Sequence, residues 1–170
     1  MDLNKNIVLL GMMGSGKSTI GYLLSKNINL NFLDVDKFIE KETDLKIYDI
    51  FQKKGEVYFR NLEEKTTLKL LKGKGKIISL GGGGFLNKNI RKEILKNHIS
   101  FWLNWENSTI INRILKSKKR PVAFNSSENN LKRLINERSN IYAEANFKIN
   151  CETLTKKMIV KNILELYEKN

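Results

Sequence analysis

Residues 11–19, Gly-Met-Met-Gly-Ser-Gly-Lys-Ser-Thr, constrain this chain more than any other stretch. They match the pattern G-x-x-x-x-G-K-[ST] directly after the apolar run of residues 6–10 and directly before Ile20, Leu23 and Leu24, which share one helical face. A strand, a glycine-rich turn and a helix in that order form a cradle for phosphate. Glycines 11, 14 and 16 free the backbone for positive φ, so the amides turn inward and join the helix N-terminus around an anion. Gly11, Gly14, Ser15, Gly16, Lys17, Ser18 and Thr19 are therefore the candidates for binding ATP, with Lys17 reaching the β- and γ-phosphates and Ser18 ligating Mg2+.

Further short apolar runs at 30–33, 76–80, 99–103 and 147–150 read as buried strands, and helical patterns lie between them. At the C-terminus Ile159, Val160, Ile163, Leu164 and Tyr167 share a helical face. The alternation implies an α/β fold, a parallel sheet with helices on both sides. A length of 170 residues suits one domain spanning 1–170. The single cysteine, Cys151, and the single histidine, His98, leave no disulfide and no zinc ligand set. With no signal-like or membrane-spanning run, the expectation is a cytoplasmic protein without membrane partners. The net charge of +13 raises nucleic acid as a partner, but the basic runs lack interleaved aromatics or a nucleic-acid module, so none is expected.

The phosphate loop does not say what accepts the phosphoryl group. The third strand runs into Gly81–Gly84 and the fourth into Asn104 and Trp105, so neither ends in an aspartate. The carboxylates placed at a strand end are Asp34 and Asp36. Read as extended chain, they point to one side. One can serve Mg2+ through water, and the other remains as a base for a hydroxyl acceptor. Alone, the pair reads more plainly as a strand end with Asp36 capping the next helix. Gly81–Gly84 is either a tight turn or a place where ligand touches backbone. Arg60, Arg113, Arg120 and Arg138 would by default be solvated helix residues, and the polar segment 117–130 a slack loop between two helices.

Taken together, the motifs resemble the shikimate kinase family, from about residue 7 to residue 150. In family order they are residues 11–19, Asp-Val-Asp at 34–36, Ile-Phe-x3-Gly-Glu-x2-Phe-Arg-x2-Glu at 50–63, Gly-Gly-Gly from 81, Lys-Lys-Arg-Pro at 118–121 and Glu-Arg-x3-Tyr-x-Glu at 137–144. The resemblance implies a P-loop kinase with strand order 2-3-1-4-5, a substrate-binding helical segment at about 35–62 and a lid at about 117–130. It implies transfer of the γ-phosphoryl of ATP to the 3-hydroxyl of shikimate, with Mg2+ as cofactor, by a monomer. By resemblance Asp36 is the base and Asp34 holds Mg2+ through water; Arg60 and Arg138 hold the shikimate carboxylate, with the backbone of Gly82 and Gly83. Arg120 is the lid arginine at the transferring phosphate, and Arg113 lies near adenine. The physics agrees, since a planar carboxylate suits guanidinium forks. Departures at Gly84, Val122, Ala123, Ser139, Asn140 and Asn146 remove no chemical group. Another small-molecule kinase, such as a gluconate kinase, and a nucleic-acid-associated ATPase are the alternatives.

Overall fold

The computed structural model describes residues 5–116 and 127–169. Strand β1 (Ile7–Leu10) is wholly buried, which an uninterrupted apolar run requires of a central strand. Its alternate residues serve two cores: Ile7 and Leu9 pack with Ile20, Leu24 and Ile163, and Val8 and Leu10 with Ile39, Leu71 and Ile94. Around it, β2 (Asn31–Asp34), β3 (Lys76–Ser79), β4 (Ile99–Asn104) and β5 (Phe147–Asn150) form a five-stranded sheet in the order β2-β3-β1-β4-β5, every pairing parallel. The expected strands and their order are therefore present.

Burial differs from the expectation of five buried strands. β2 and β5 are only partly buried, because they form the two edges and each lacks a neighbour on one side. Helices α1 (Lys17–Ile28) and α7 (Lys156–Glu168) cover one face. The other is covered by α2 (Val35–Thr43), α3 (Ile47–Leu71), α4 (Lys88–Asn97), α5 (Asn107–Leu115) and α6 (Glu128–Tyr142). Within α3, Gly55 has φ 82 and ψ 168, so the helix breaks there and restarts on the turn that carries Arg60. No helix among the described residues is long and apolar enough to cross a membrane.

Two sequence features resolve as structural. Asn146 Oδ1 accepts from the Ser100 amide (2.9 Å) and hydroxyl (2.7 Å), tying the approach to β5 onto the start of β4. His98 and Cys151 are both buried; burial holds the imidazole below its ordinary pKa and pushes the thiol up to about 12, so neither is a reactive group.

The segment expected to be irregular over 117–130 is shorter than that at its C-terminal end. Ser127 accepts a hydrogen bond from the Asn130 amide and caps α6, so residues 128–130 already form its first turn. Residues 117–126, including Arg120, Val122 and Ala123, lie outside the described residues.

Because β1 is flanked by β3 on one side and β4 on the other, chain connections diverge at its carboxyl end. That crevice is where open parallel sheets bind ligands.

Candidate active site

The loop from β1 to α1 opens the crevice. Gly11, Gly14 and Gly16 have φ of 137, 86 and 90, the left-handed conformations expected of them. Space also restricts Gly11, since a Cβ there would lie 2.9 Å from the Leu103 carbonyl. Lys17 is buried and its Nζ donates to the carbonyls of Gly11 (2.8 Å) and Met12 (3.0 Å), curling the side chain over the loop. The anion cradle is thus preshaped, with its cation folded into it.

The cleft beyond the loop measures about 580 Å3. It brings together Gly14, Gly16, Lys17, Ser18 and Thr19 from the loop and α1 with Asp34 and Asp36 from the β2 end. Arg60, Gly82, Gly83 and Arg138, also expected at the site, line its wall. Gly11 and Ser15 of the loop, and Arg113, which bonds the Gly14 carbonyl, do not line the cleft.

Asp34 and Asp36 share the cleft, but not as alternate residues of a strand. Asp34 ends β2 and caps α2, accepting from the Lys37 amide at 3.2 Å, and Asp36 sits in the helix's first turn. The cap is therefore Asp34 rather than Asp36, since the chain turns helical at Val35. The two carboxyls have different surroundings. Ser18 Oγ donates to Asp34 Oδ2 at 2.5 Å, so two hard oxygens converge where the loop enters α1. Asp36 makes no such bond and its carboxyl is pushed up to about 6, by burial first and then by the negative charges of Asp34 and Glu63, with Lys17 pulling the other way. A carboxylate held near neutrality in a cleft is suited to taking a proton.

No residue from Gly81 to Gly84 has positive φ, so the glycines at 81 and 83 are explained by close approach rather than by backbone conformation. A Cβ at Gly81 would lie 2.5 Å from Glu63 Oε1 and 2.7 Å from Asp36 Oδ1, and one at Gly83 would fall on the Arg60 guanidinium. A Cβ at Gly82 would stand 3.5 Å from Arg138 Nη1. Two arginines from distant helices thus flank one glycine turn.

Their pairing differs. Arg60 donates through Nη1 to Glu63 (2.7 Å) and through Nε and Nη2 to Glu56 (3.3 and 3.2 Å). These carboxylates more than offset the burial that opposes its charge. One N–H on each Nη remains for a ligand, and the exposed Glu56 is a weak competitor. Arg138 is 7% exposed; its Nη1 donates to the Gly82 carbonyl at 3.2 Å, and its Nε has no hydrogen-bond partner among the described residues. None of the ion pairs among those residues includes it. Among the described residues this buried guanidinium has no acid partner, a setting suited to an anionic ligand.

Three contributors were not singled out from sequence. Glu63, 2% exposed, orients Arg60 and raises the Asp36 pKa; Tyr142, 1% exposed, donates its hydroxyl to the Gly82 carbonyl; Trp105 donates to the Ser15 carbonyl at 2.9 Å. Glu63 and Tyr142 stand inside recognisable motifs, so spacing could have marked them. Nothing in the sequence marks Trp105.

Comparison with known proteins agrees with this geometry. The family model described as shikimate kinase matches residues 13–168. A shikimate kinase from Sulfurihydrogenibium sp. is 41% identical over 160 residues, covering 94% of this chain and 96% of that one. The structure of a shikimate kinase from Acinetobacter baumannii in complex with shikimate superposes with a TM-score of 0.92 at 31% identity, covering 98% of this chain and 94% of that one. A gluconokinase from Sinorhizobium meliloti, at 15% identity, TM-score 0.61 and coverage of 100% and 99%, shares the fold alone.

Proposed function

The chain belongs to the shikimate kinase family, and from that premise we infer how its cleft divides the work of moving the γ-phosphoryl of ATP to the 3-hydroxyl of shikimate. ATP lies with its phosphates on the loop of residues 11–19, and shikimate lies between Asp36 and the two arginines. The hydroxyl oxygen bonds to the γ-phosphorus, the bond from that phosphorus to the β,γ-bridging oxygen breaks, and the hydroxyl proton passes to Asp36. The products are shikimate 3-phosphate and ADP. Lys17 and Arg120, the latter outside the described residues, neutralise charge gathering on the phosphoryl oxygens; the segment around Arg120 would exclude water as a lid.

Ser18 and Asp34 suit Mg2+, because both offer hard oxygens and those oxygens already converge at 2.5 Å. Ser18 would hold it directly and Asp34 through water. When bound, Mg2+ neutralises the phosphate oxygens.

The observation that carries the acceptor assignment is Arg138, a buried cation with no acid partner among the described residues, facing the same glycine turn as Arg60. Shikimate supplies the carboxylate that both call for. Arg60→Lys tests this pairing while keeping net charge. An ammonium cannot reproduce the planar fork, so kcat/KM for shikimate should fall about 10- to 150-fold while KM for ATP stays within about twofold. Equal losses for both substrates that vary with salt would mean general attraction rather than a clamp.

The Asp36 carboxyl also sets a pH dependence. It must be ionised to accept the proton, and its raised pKa places that ionisation near 6. Activity is present above that pH and is lost as pH falls through it, so kcat/KM for shikimate should drop about tenfold per unit on the acid side. A profile flat down to pH 4.5 would remove Asp36 from the role of base.

A further inference from the structure

Two consecutive carbonyls of the phosphate loop are held from behind by one side-chain stack. The Trp105 indole N–H, just past the end of β4, donates to the Ser15 carbonyl at 2.9 Å. Two turns into α5, Arg113 donates through Nη1 to the Gly14 carbonyl at 3.2 Å. The Arg113 guanidinium carbon lies 3.7 Å from the centroid of the Trp105 ring, close enough for a strong cation–π contact. Trp105 also touches both cores of the protein, so its plain role would be to fill the seam between them. The direction of its N–H says more.

In a trans peptide the carbonyl and the following N–H point in opposite directions. No peptide among the described residues is cis. Fixing the Ser15 carbonyl toward Trp105 therefore turns the Gly16 N–H the other way, toward the cleft that Gly16 lines. Gly16 has φ 90 and precedes the first residue of α1, so its amide belongs to the group that meets phosphate. A Cβ at Gly16 would meet nothing within 4 Å, so packing on that side does not fix the Ser15–Gly16 peptide, while the Gly16 carbonyl on the next peptide is held by the Ile20 amide at 2.9 Å.

We propose that Trp105 is a positioning residue for the nucleotide: its indole N–H sets the Gly16 amide toward the phosphates, and its ring face sets the Arg113 guanidinium beside the same loop. This rests on the reading that ATP occupies that loop. Trp105 touches no reacting atom in this arrangement, and it acts through the backbone of residues 14–16. The consequence is confined to nucleotide, because the acceptor is held by Asp36, Arg60 and Arg138 on the far wall.

Isothermal titration of the full-length enzyme with ADP, and with tripolyphosphate as a probe lacking the base, separates the possibilities. Trp105→Phe keeps an aromatic face for Arg113 and removes the N–H together with the second ring of the indole. It should weaken ADP and tripolyphosphate alike, by about 3- to 10-fold, and leave KM for shikimate at saturating ATP within about twofold. Trp105→Leu also removes the ring and should cost ADP a further factor of about 2 to 5. Wild-type affinity for both probes in Trp105→Phe overturns the proposal. So does an equal loss toward ADP and shikimate with a lowered Tm, the signature of a seam filler. Failure of the wild type itself to bind ADP would instead overturn the placement of nucleotide on the loop.

Discussion

Asp36→Asn is expected to lower kcat about 100- to 10,000-fold, the range spanned by loss of a general base, while KM for ATP stays within about twofold. The amide keeps the shape of the side chain and cannot take the hydroxyl proton. The stability change should run the opposite way. A carboxyl whose folded pKa is raised from 3.8 to about 6 costs stability wherever it is ionised, and that cost vanishes only below its unfolded value. At pH 7.5 the variant therefore escapes repulsion from Asp34 and Glu63, and its Tm should equal or exceed that of wild type. Slow turnover in a protein at least as stable would identify a residue kept for chemistry. If the variant instead lost ATP affinity and kept its rate, Asp34 and Asp36 would have exchanged roles.

Lys17→Met should lower kcat by at least about 1,000-fold, since it removes a full positive charge from the place where phosphoryl oxygens gain negative charge. Methionine is close in length, but the Gly11 and Met12 carbonyls lose a buried donor, so a Tm measured beside the rates separates lost chemistry from lost stability. Lys17 also pulls the Asp36 pKa down. The residual activity of the variant should consequently have its acid limb shifted to higher pH than in wild type. Steady-state rates from pH 5 to 9 check both effects, and a variant retaining a tenth of the wild-type rate would remove Lys17 from the site.

The phosphate loop could be read directly because each part of it is local: strand, positive-φ glycines and helix follow one another in sequence, and geometry confirms all three. The order of strands was legible through resemblance, whereas the periodicity of residues showed only alternation. Burial of β2 and β5 was misjudged because being at an edge depends on sheet order, which short apolar runs do not encode. Asp34 and Asp36 do lie together, but not through strand alternation, since the strand ends two residues earlier than alternation assumes. Glu63 shows what spacing alone cannot reveal. Its carboxylate bonds Arg60 three residues earlier, yet it would touch a Cβ at Gly81, 18 positions later, and so explains a glycine that conformation does not demand. Trp105 contacts Ser15 across a sequence separation of 90, a contact that only tertiary structure creates.

In the proposed reaction one acceptor, a hydroxylated carboxylic acid with the shape of shikimate, lies between Asp36 and the arginine pair. The direct measurement is ADP release by wild-type enzyme with ATP and Mg2+, given shikimate, gluconate, RNA or no acceptor, with the phosphorylated product identified by mass spectrometry. Rapid release with shikimate alone, one shikimate 3-phosphate formed per ADP, is the predicted result. Comparable release with gluconate, stimulation by RNA, or steady release without any acceptor would contradict it.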